Sequence, residues 1–154
     1  MSINIVKLDH QSVNEFWRLR MELLIELEEL NKETDCSKLE SSTKQYYLSH
    51  INKDLISWGI MQENKLVAIG SLCLFKRIPY EKNLNGLEGY ILNIYTSPKF
   101  RNKKFANYIL DEIINYASKA HIKRLWLNSS EQGKKLYAKR GFIRKENEME
   151  LLLY

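Results

Sequence analysis

Four cationic side chains lie in the short segment between a predicted strand and a predicted helix: Lys99, Arg101, Lys103 and Lys104. The N-terminus of a helix carries a partial positive charge and free N–H groups, so cations at this place oppose the local electrostatics. A bound anion would remove that conflict, and a diphosphate held by the free amides is the usual ligand of such a turn. Taken alone, a lysine-rich run is more often a solvated loop.

A second cationic helix start lies later in the chain, where Gly133-Lys134-Lys135 follows Asn128-Ser129-Ser130. Ser130 can cap the helix that begins here, and Gly141 can end it. Two positively charged helix starts can hold one extended polyanion. Coenzyme A is a polyanion of this kind, so the pair of segments favours a coenzyme A site over a solvated loop.

The two segments resemble the core of the GNAT superfamily of acetyl-CoA-dependent N-acetyltransferases. The family's phosphate loop reads Q/R-x-x-G-x-G/A, which Arg101 and Ala106 match. Lys104 stands at the central glycine position, and Asn102 stands at a position that is often glycine. Asparagine tolerates a left-handed backbone, whereas lysine does so poorly. The segment from Gly133 to Phe142 resembles the family's L-Y-x-K-x-G-F segment, which lies near the cofactor thiol.

The resemblance implies a donor site and a reaction. Acetyl would pass directly from acetyl-CoA to a primary amine of a small molecule or a protein, within a ternary complex. The backbone of residues 93–96 would hold the pantetheine as an added strand, with one amide for the tetrahedral oxyanion, and the sheet would have to splay there. The implied cofactor-binding residues are Ile94, Tyr95, Thr96, Arg101, Asn102, Lys103, Lys104, Phe105, Ala106, Asn128, Lys134 and Tyr137.

Three residues are candidates for the chemistry of the transfer. By resemblance, Tyr137 is the general acid, because a phenol with a pKa of about 10 can protonate a thiolate whose thiol has a pKa of about 8.5. An amphipathic core tyrosine is the alternative. Glu88 could take the amine proton through a water molecule, although an exposed carboxylate at the start of a strand explains it equally well. Asn93 could orient the acceptor.

The hydrophobic pattern predicts a single α/β domain over residues 1–154. Ser12 is the expected N-cap of a first amphipathic helix that begins at Val13. The other expected elements are a strand near 3–5, a helix over 42–51, strands over 56–61, 66–75 and 88–96, a helix from 105, a strand over 124–128, a helix over 131–140 and a strand pair over 142–154. By resemblance they form a GNAT-like mixed, mostly antiparallel central sheet of about six to seven strands, flanked by about four helices and splayed at the cofactor strand.

Composition narrows the function classes. The formal net charge is +5, but no basic stripe with interleaved aromatics is visible, so no nucleic acid partner is expected. There is no export signal and no apolar run of about 20 residues, so a cytoplasmic protein without a membrane partner is expected. His10, His50 and His121 lack metal-ligand spacing, so no metal is expected. Cys73 lies in an apolar strand and is expected in the core.

Three questions stay open from the sequence: catalytic activity, the amine acceptor and the oligomeric state. The rival hypothesis is a catalytically inactive GNAT-like domain that acts as a coenzyme A sensor or a protein-interaction module, because Lys104 replaces the loop glycine. The amine acceptor could be a polyamine, an aminoglycoside-like amine, an amino acid or a protein amine. Strand edges of this architecture often pair in dimers, so a homodimer is a further candidate.

Overall fold

The computed structural model describes residues 2–154 and shows a five-stranded sheet with helices on both faces. The strands are β1 (Ile5–Lys7), β2 (Leu55–Gln62), β3 (Lys65–Lys76), β4 (Leu87–Thr96) and β5 (Arg124–Trp126). The α-helices of the described residues are α1 (Val13–Glu26), α2 (Ser37–His50), α3 (Phe105–Lys119) and α4 (Lys134–Ala138), with short 3-10 turns at His10–Ser12 and Pro98–Phe100.

The strands lie side by side in chain order, from β1 to β5. The first four strands are antiparallel, whereas β5 runs parallel to β4. A parallel pair requires a crossover connection, and α3 supplies it. The predicted mixed, mostly antiparallel sheet with four flanking helices is therefore confirmed.

A hydrophobic layer on each face of the sheet holds β4 in place. On one face, the apolar stripe of α3 packs on β2, β3 and β4. A Cβ atom at Gly70 would lie 2.4 Å from Ile109 Cγ2, so a glycine lets α3 approach β3 this closely. On the other face, Leu19 of α1 and Tyr47 of α2 are fully buried in a second cluster. Both layers meet the middle of the sheet, where the candidate site lies.

The C-terminal segment differs from its prediction. Residues 142–154 form no strand, so the predicted strand pair is wrong and the sheet has five strands instead of six or seven. Met149 is 95% exposed and Leu153 is 88% exposed. The apolar run has strand propensity, but a strand also requires a partner edge. Because β5 is only 3 residues long, it offers little edge for another ladder.

Several element boundaries also differ. Helix α2 begins earlier than predicted, at Ser37, and α4 is shorter than predicted. Ser12 precedes α1 as expected but makes no capping bond, because a 3-10 turn comes first and Asp9 Oδ1 caps that turn by accepting from Gln11 N at 2.9 Å. None of the helices in the described part of the chain is long and apolar enough to cross a membrane.

Candidate active site

A β-bulge interrupts β4 in the middle of the sheet. The register of the β3–β4 pair shifts there, so that Asn93 and Ile94 both lie opposite Gly70. Asn93 has a φ of 62°, a left-handed conformation that asparagine accepts more readily than most residues. A bulge bends its strand and re-aims side chains. The amide of Asn93 lies toward α1, where Arg20 Nη1 donates a hydrogen bond to its Oδ1 at 3.3 Å.

β4 and β5 pair over a short distance and then separate. The parallel ladder joins residues 88–90 to residues 124–126, and no strand of the described chain continues it along residues 91–96. The backbone groups of β4 that face this side therefore lack a strand partner beyond Tyr90. An extended ligand can add to such an edge as an extra strand. This separation of β4 from β5 includes residues 93–96, which the resemblance predicts to bind the pantetheine.

Helix α3 begins with a row of unused backbone donors. Within residues 2–154, no group accepts a hydrogen bond from the N–H groups of residues 102–107, and no side chain caps the helix. Asn102 has a φ of 65° and Lys104 a φ of 62°. Both positions thus adopt the left-handed conformation that a glycine would adopt easily. Successive N–H groups in such a turn form a concave anion site at the positive end of the helix dipole.

The cations of this loop have different surroundings. Three lysines make no ion pair within the part of the chain that is described: Lys99, Lys103 and Lys104. In contrast, Arg101 Nε donates to Thr96 O at 2.9 Å, and Arg101 Nη2 pairs with Glu26 Oε1 at 2.7 Å. The backbone N–H of Arg101 donates to Pro98 O at 3.4 Å. The Arg101 side chain therefore ties the end of β4 to α1, while the lysines stay available to an anion.

Helix α4 carries Tyr137, the candidate general acid. Its ring is half-buried and lies 5.8 Å from the Phe142 ring in an edge-on arrangement. Burial raises the pKa of Tyr137 above its usual value. The phenol therefore keeps its proton at neutral pH and can donate it.

A cavity of about 970 Å³ lies between β5, α4 and the C-terminal half of α3. Tyr137, Asn128 and Lys134 line it together. Lys134 Nζ also pairs with Glu131 Oε1 at 2.6 Å. The amide row at the start of α3 does not line this cavity, so the predicted cofactor residues fall into two groups.

Glu88 is fully buried and paired with two arginines. Its side chain is 0% exposed, so the alternative of an exposed carboxylate at a strand start is wrong. Glu88 Oε1 accepts from Arg124 Nη1 at 2.8 Å, and Oε2 accepts from Arg77 Nη1 at 3.3 Å. The carboxylate thus joins β4 to β5 directly beside the splay.

The face of the sheet toward α1 and α2 also carries aromatic side chains. The rings of Tyr90 and Trp126 lie 4.4 Å apart, and the hydroxyl of Tyr46 lies 3.6 Å from Cys73 Sγ. Cys73 is half-buried, and burial raises the pKa of its thiol, which agrees with a packing residue. Together these side chains form a partly open, aromatic surface next to Asn93, which we call the acceptor face.

Comparison with known proteins decides the family. The acetyltransferase (GNAT) family model matches residues 21–142, which is more than half of the chain. The chain belongs to the GNAT acetyltransferase family. The matched range includes the bulge of β4, the start of α3 and Tyr137. A comparison with curated protein sequences gave no match.

Solved structures agree with this GNAT assignment. A predicted acetyltransferase from Clostridium acetobutylicum, solved with acetyl-CoA, is 27% identical, with a TM-score of 0.85 over 98% of this chain and 96% of that chain. A GCN5-related N-acetyltransferase from Ralstonia eutropha is 18% identical, with a TM-score of 0.85 over 99% of both chains. Glucosamine-6-phosphate N-acetyltransferase from Arabidopsis thaliana is 18% identical, with a TM-score of 0.74 over 100% of both chains. The last two structures are each 18% identical, so they are evidence for the fold alone.

Arg20 and Tyr90 of this GNAT domain were not among the predicted site residues. Arg20 falls within the apolar stripe of α1, four residues after Phe16 and three before Leu23. An arginine in such a stripe was a usable signal, because a buried cation needs a partner. For Tyr90 no signal was available, since an aromatic residue in a strand is ordinary. No group of three His, Cys, Asp or Glu side chains within residues 2–154 is placed to hold a metal ion.

Proposed function

We propose that this GNAT domain transfers acetyl from acetyl-CoA to a primary amine of a small molecule or a protein, by direct attack in a ternary complex. The observation that carries the proposal is the row of amides at residues 102–107 that have no acceptor within residues 2–154, beside lysines that have no acidic partner in that range. Such an array suits a diphosphate. The open edge of β4 suits an extended ligand that carries amide groups, as the pantetheine arm does.

The proposed donor site assigns a part to each predicted residue. The amides from Asn102 to Ala106 would bind the diphosphate, with Lys103 and Lys104 as counter-ions, and Arg101 would hold the loop through its bond to Thr96. The backbone of residues 93–96 would pair with the pantetheine arm. Asn128 and Lys134 would contact the same arm from the far side of the splay, next to Tyr137.

The proposed chemistry uses positioning and one proton donor. An amine placed on the acceptor face attacks the thioester carbon, and a backbone N–H of β4 near the bulge stabilises the oxyanion. Tyr137 then protonates the departing thiolate, and its raised pKa ensures that the phenol still carries its proton at neutral pH. Asn93 orients the acceptor. A base role for Glu88 requires that Arg77, whose bond is the longer of the two, moves aside for a water molecule.

Replacement of Tyr137 by Phe tests the proposal. The expected result is a fall in turnover of about 10²-fold or more, with unchanged affinity for acetyl-CoA, because only the proton donor is lost. Free thiol release with an excess of amine measures turnover, and calorimetric titration measures affinity. Unchanged turnover would exclude the acid role.

The inactive-sensor hypothesis rests on Lys104. Its φ of 62° lies in the left-handed region, so the loop keeps the conformation that a glycine would supply, which supports cofactor binding and disfavours a pure interaction module. Titration with acetyl-CoA, followed by an amine panel, separates the two hypotheses. Binding without transfer to any amine would favour the sensor, and no binding at all would favour an interaction module.

A further inference from the structure

Arg20 is an arginine without an acidic partner at the edge of the acceptor face. Its guanidinium is half-buried under the sheet, and its one hydrogen bond within the described residues is the 3.3 Å bond to Asn93 Oδ1. The other arginines of this region differ: Arg18, Arg101 and Arg124 each bind a carboxylate oxygen at 2.7–2.8 Å. Most of the donor capacity of Arg20 is thus unused.

Asn93 adds a second unused donor at the same place. Its Oδ1 accepts the bond from Arg20, whereas its Nδ2 is buried and has no partner among the described residues. A buried polar group without a hydrogen bond is destabilising, so such a group in a native site calls for an explanation. An oxygen ligand that only accepts hydrogen bonds would satisfy both side chains.

The electrostatics at Arg20 also favour a bound anion. Burial lowers the pKa of Arg20 below its usual value, and the charge of Glu29 opposes this shift only in part. Glu29 is exposed and makes no ion pair with Arg20. A desolvated cation without a counter-ion is unfavourable, and a ligand anion would relieve that cost.

The position of Arg20 and Asn93 indicates which of the two substrates carries the anion. Asn93 lies on the bulge of β4, where the strand leaves β5 and the thioester is proposed to lie. The rings of Tyr90 and Trp126 lie on the same face of the sheet, with the Trp126 Nε1 also buried and unpartnered. A ligand seated here would be the acceptor, not the donor, and its uncharged part would pack against the rings.

We propose that Arg20 and the Nδ2 of Asn93 bind an oxyanion of the amine acceptor, so that the substrate class is an amine that also carries a carboxylate or a phosphate. This inference rests on the proposed function, since it names the acceptor of that reaction. It makes Arg20 a specificity-determining residue, and it disfavours polyamines and other purely cationic acceptors.

Three matched pairs of amines test the inference. The pairs are glycine and glycinamide, phenylalanine and phenylalaninamide, and O-phosphoethanolamine and ethanolamine. Each is titrated calorimetrically into the protein saturated with coenzyme A, and kcat/KM is measured with acetyl-CoA. We expect at least one amine that carries an oxyanion to be preferred over its analogue without one. The carboxylate pairs and the phosphate pair show which oxyanion is the ligand.

The variant Arg20→Gln decides the role of the guanidinium. We expect the preference for the anionic amine to fall by about tenfold to a hundredfold, the value of a charge-assisted hydrogen bond, mainly through KM. Arg20→Lys keeps the charge and should restore part of the preference. Because each variant is compared on the same two amines, differences in amine basicity cancel. Lys65→Gln, which removes one exposed positive charge at the start of β3, is the charge-matched control and should keep the ratio.

Each outcome bears on the inference separately from the proposed function. Equal preference in the wild type for amines with and without an oxyanion, or an unchanged ratio in Arg20→Gln, overturns the inference even if acetyl transfer occurs. Tight binding of an anionic amine that is lost in Arg20→Gln supports it even if no transfer occurs, and in that case the proposed function fails alone. If Arg20→Gln does not fold, inhibition of the wild type by N-acetylphenylalanine and by its amide replaces it, and equal inhibition overturns the inference.

Discussion

The proposed donor side of this site is built mainly from backbone, whereas the acceptor face is built from side chains. At the start of α3, the functional groups are the N–H groups of residues 102–107, held by two left-handed residues. On the acceptor face, side chains from distant segments meet on β4: Arg20 of α1 bonds Asn93, and Arg124 of β5 bonds the buried Glu88. The donor side should therefore tolerate new side chains that keep the backbone conformation, while single substitutions on the acceptor face should change stability or specificity.

Removal of the Glu88 carboxylate gives the largest expected loss of stability. In Glu88→Ala, Arg77 and Arg124 lose a fully buried partner. We expect a loss of about 1–3 kcal/mol in the free energy of unfolding, less than for a wholly buried pair because both arginines are partly exposed. Urea denaturation measures it. Glu146→Ala breaks an exposed pair with Arg144 and should cost under about 1 kcal/mol. Equal losses in the two variants would contradict the larger contribution of Glu88.

Removal of the loop charges tests the donor side. In the double variant Lys103→Gln and Lys104→Gln, we expect acetyl-CoA affinity to fall by about tenfold, because two cations beside a helix N-terminus contribute about 0.3–1 kcal/mol each to anion binding. The fall should shrink at high salt, which screens exposed charges. Calorimetry at two salt concentrations measures both effects. The control is Lys53→Gln with Lys65→Gln, which removes equal charge elsewhere and should leave affinity unchanged.

The backbone of the donor side is tested by Lys104→Gly against Lys104→Ala. Both variants lack the lysine charge, so the difference between their stabilities reports only the cost of the left-handed conformation at this position. We expect the glycine variant to be more stable than the alanine variant by about 1 kcal/mol, because only alanine has a Cβ atom that disfavours this region. Acetyl-CoA should also bind the glycine variant at least as tightly. Equal stability would show that the loop is not fixed in this conformation.

The smallest expected effect concerns pH. Because burial raises the pKa of Tyr137 above the ordinary 10.0, its acid form persists through neutral and mildly alkaline pH. We expect no loss of kcat from ionisation of Tyr137 below pH 10.0, and a decline above it. A kcat profile with both substrates in excess measures this, with Tyr137→Phe as the control that lacks the decline. A decline centred below that pH, absent from the control, would contradict it.

Local pattern predicted most of the architecture, and the exceptions have physical causes. The three-and-four spacing of apolar residues predicted α1 and α3, because each helix buries one stripe, and alternation predicted β4. Two apolar runs joined by a short polar link predicted β2 and β3 as a hairpin. The segment after Phe142 has equally strong strand propensity, yet it forms no ladder. Strand formation depends on a free partner edge elsewhere in the chain, which propensity does not report.

The sequence by itself determined the helix-start chemistry of the proposed donor side: the cations, the sites of Asn102 and Lys104, and the tyrosine of α4 are all local features. Only the tertiary structure decided the surroundings of Glu88 and Arg20. One carboxylate became fully buried between two arginines, and one arginine became half-buried without an acid. Whether a charge is paired depends on which distant residues fold against it, so its energetic role is fixed by packing and not by its neighbours in the chain.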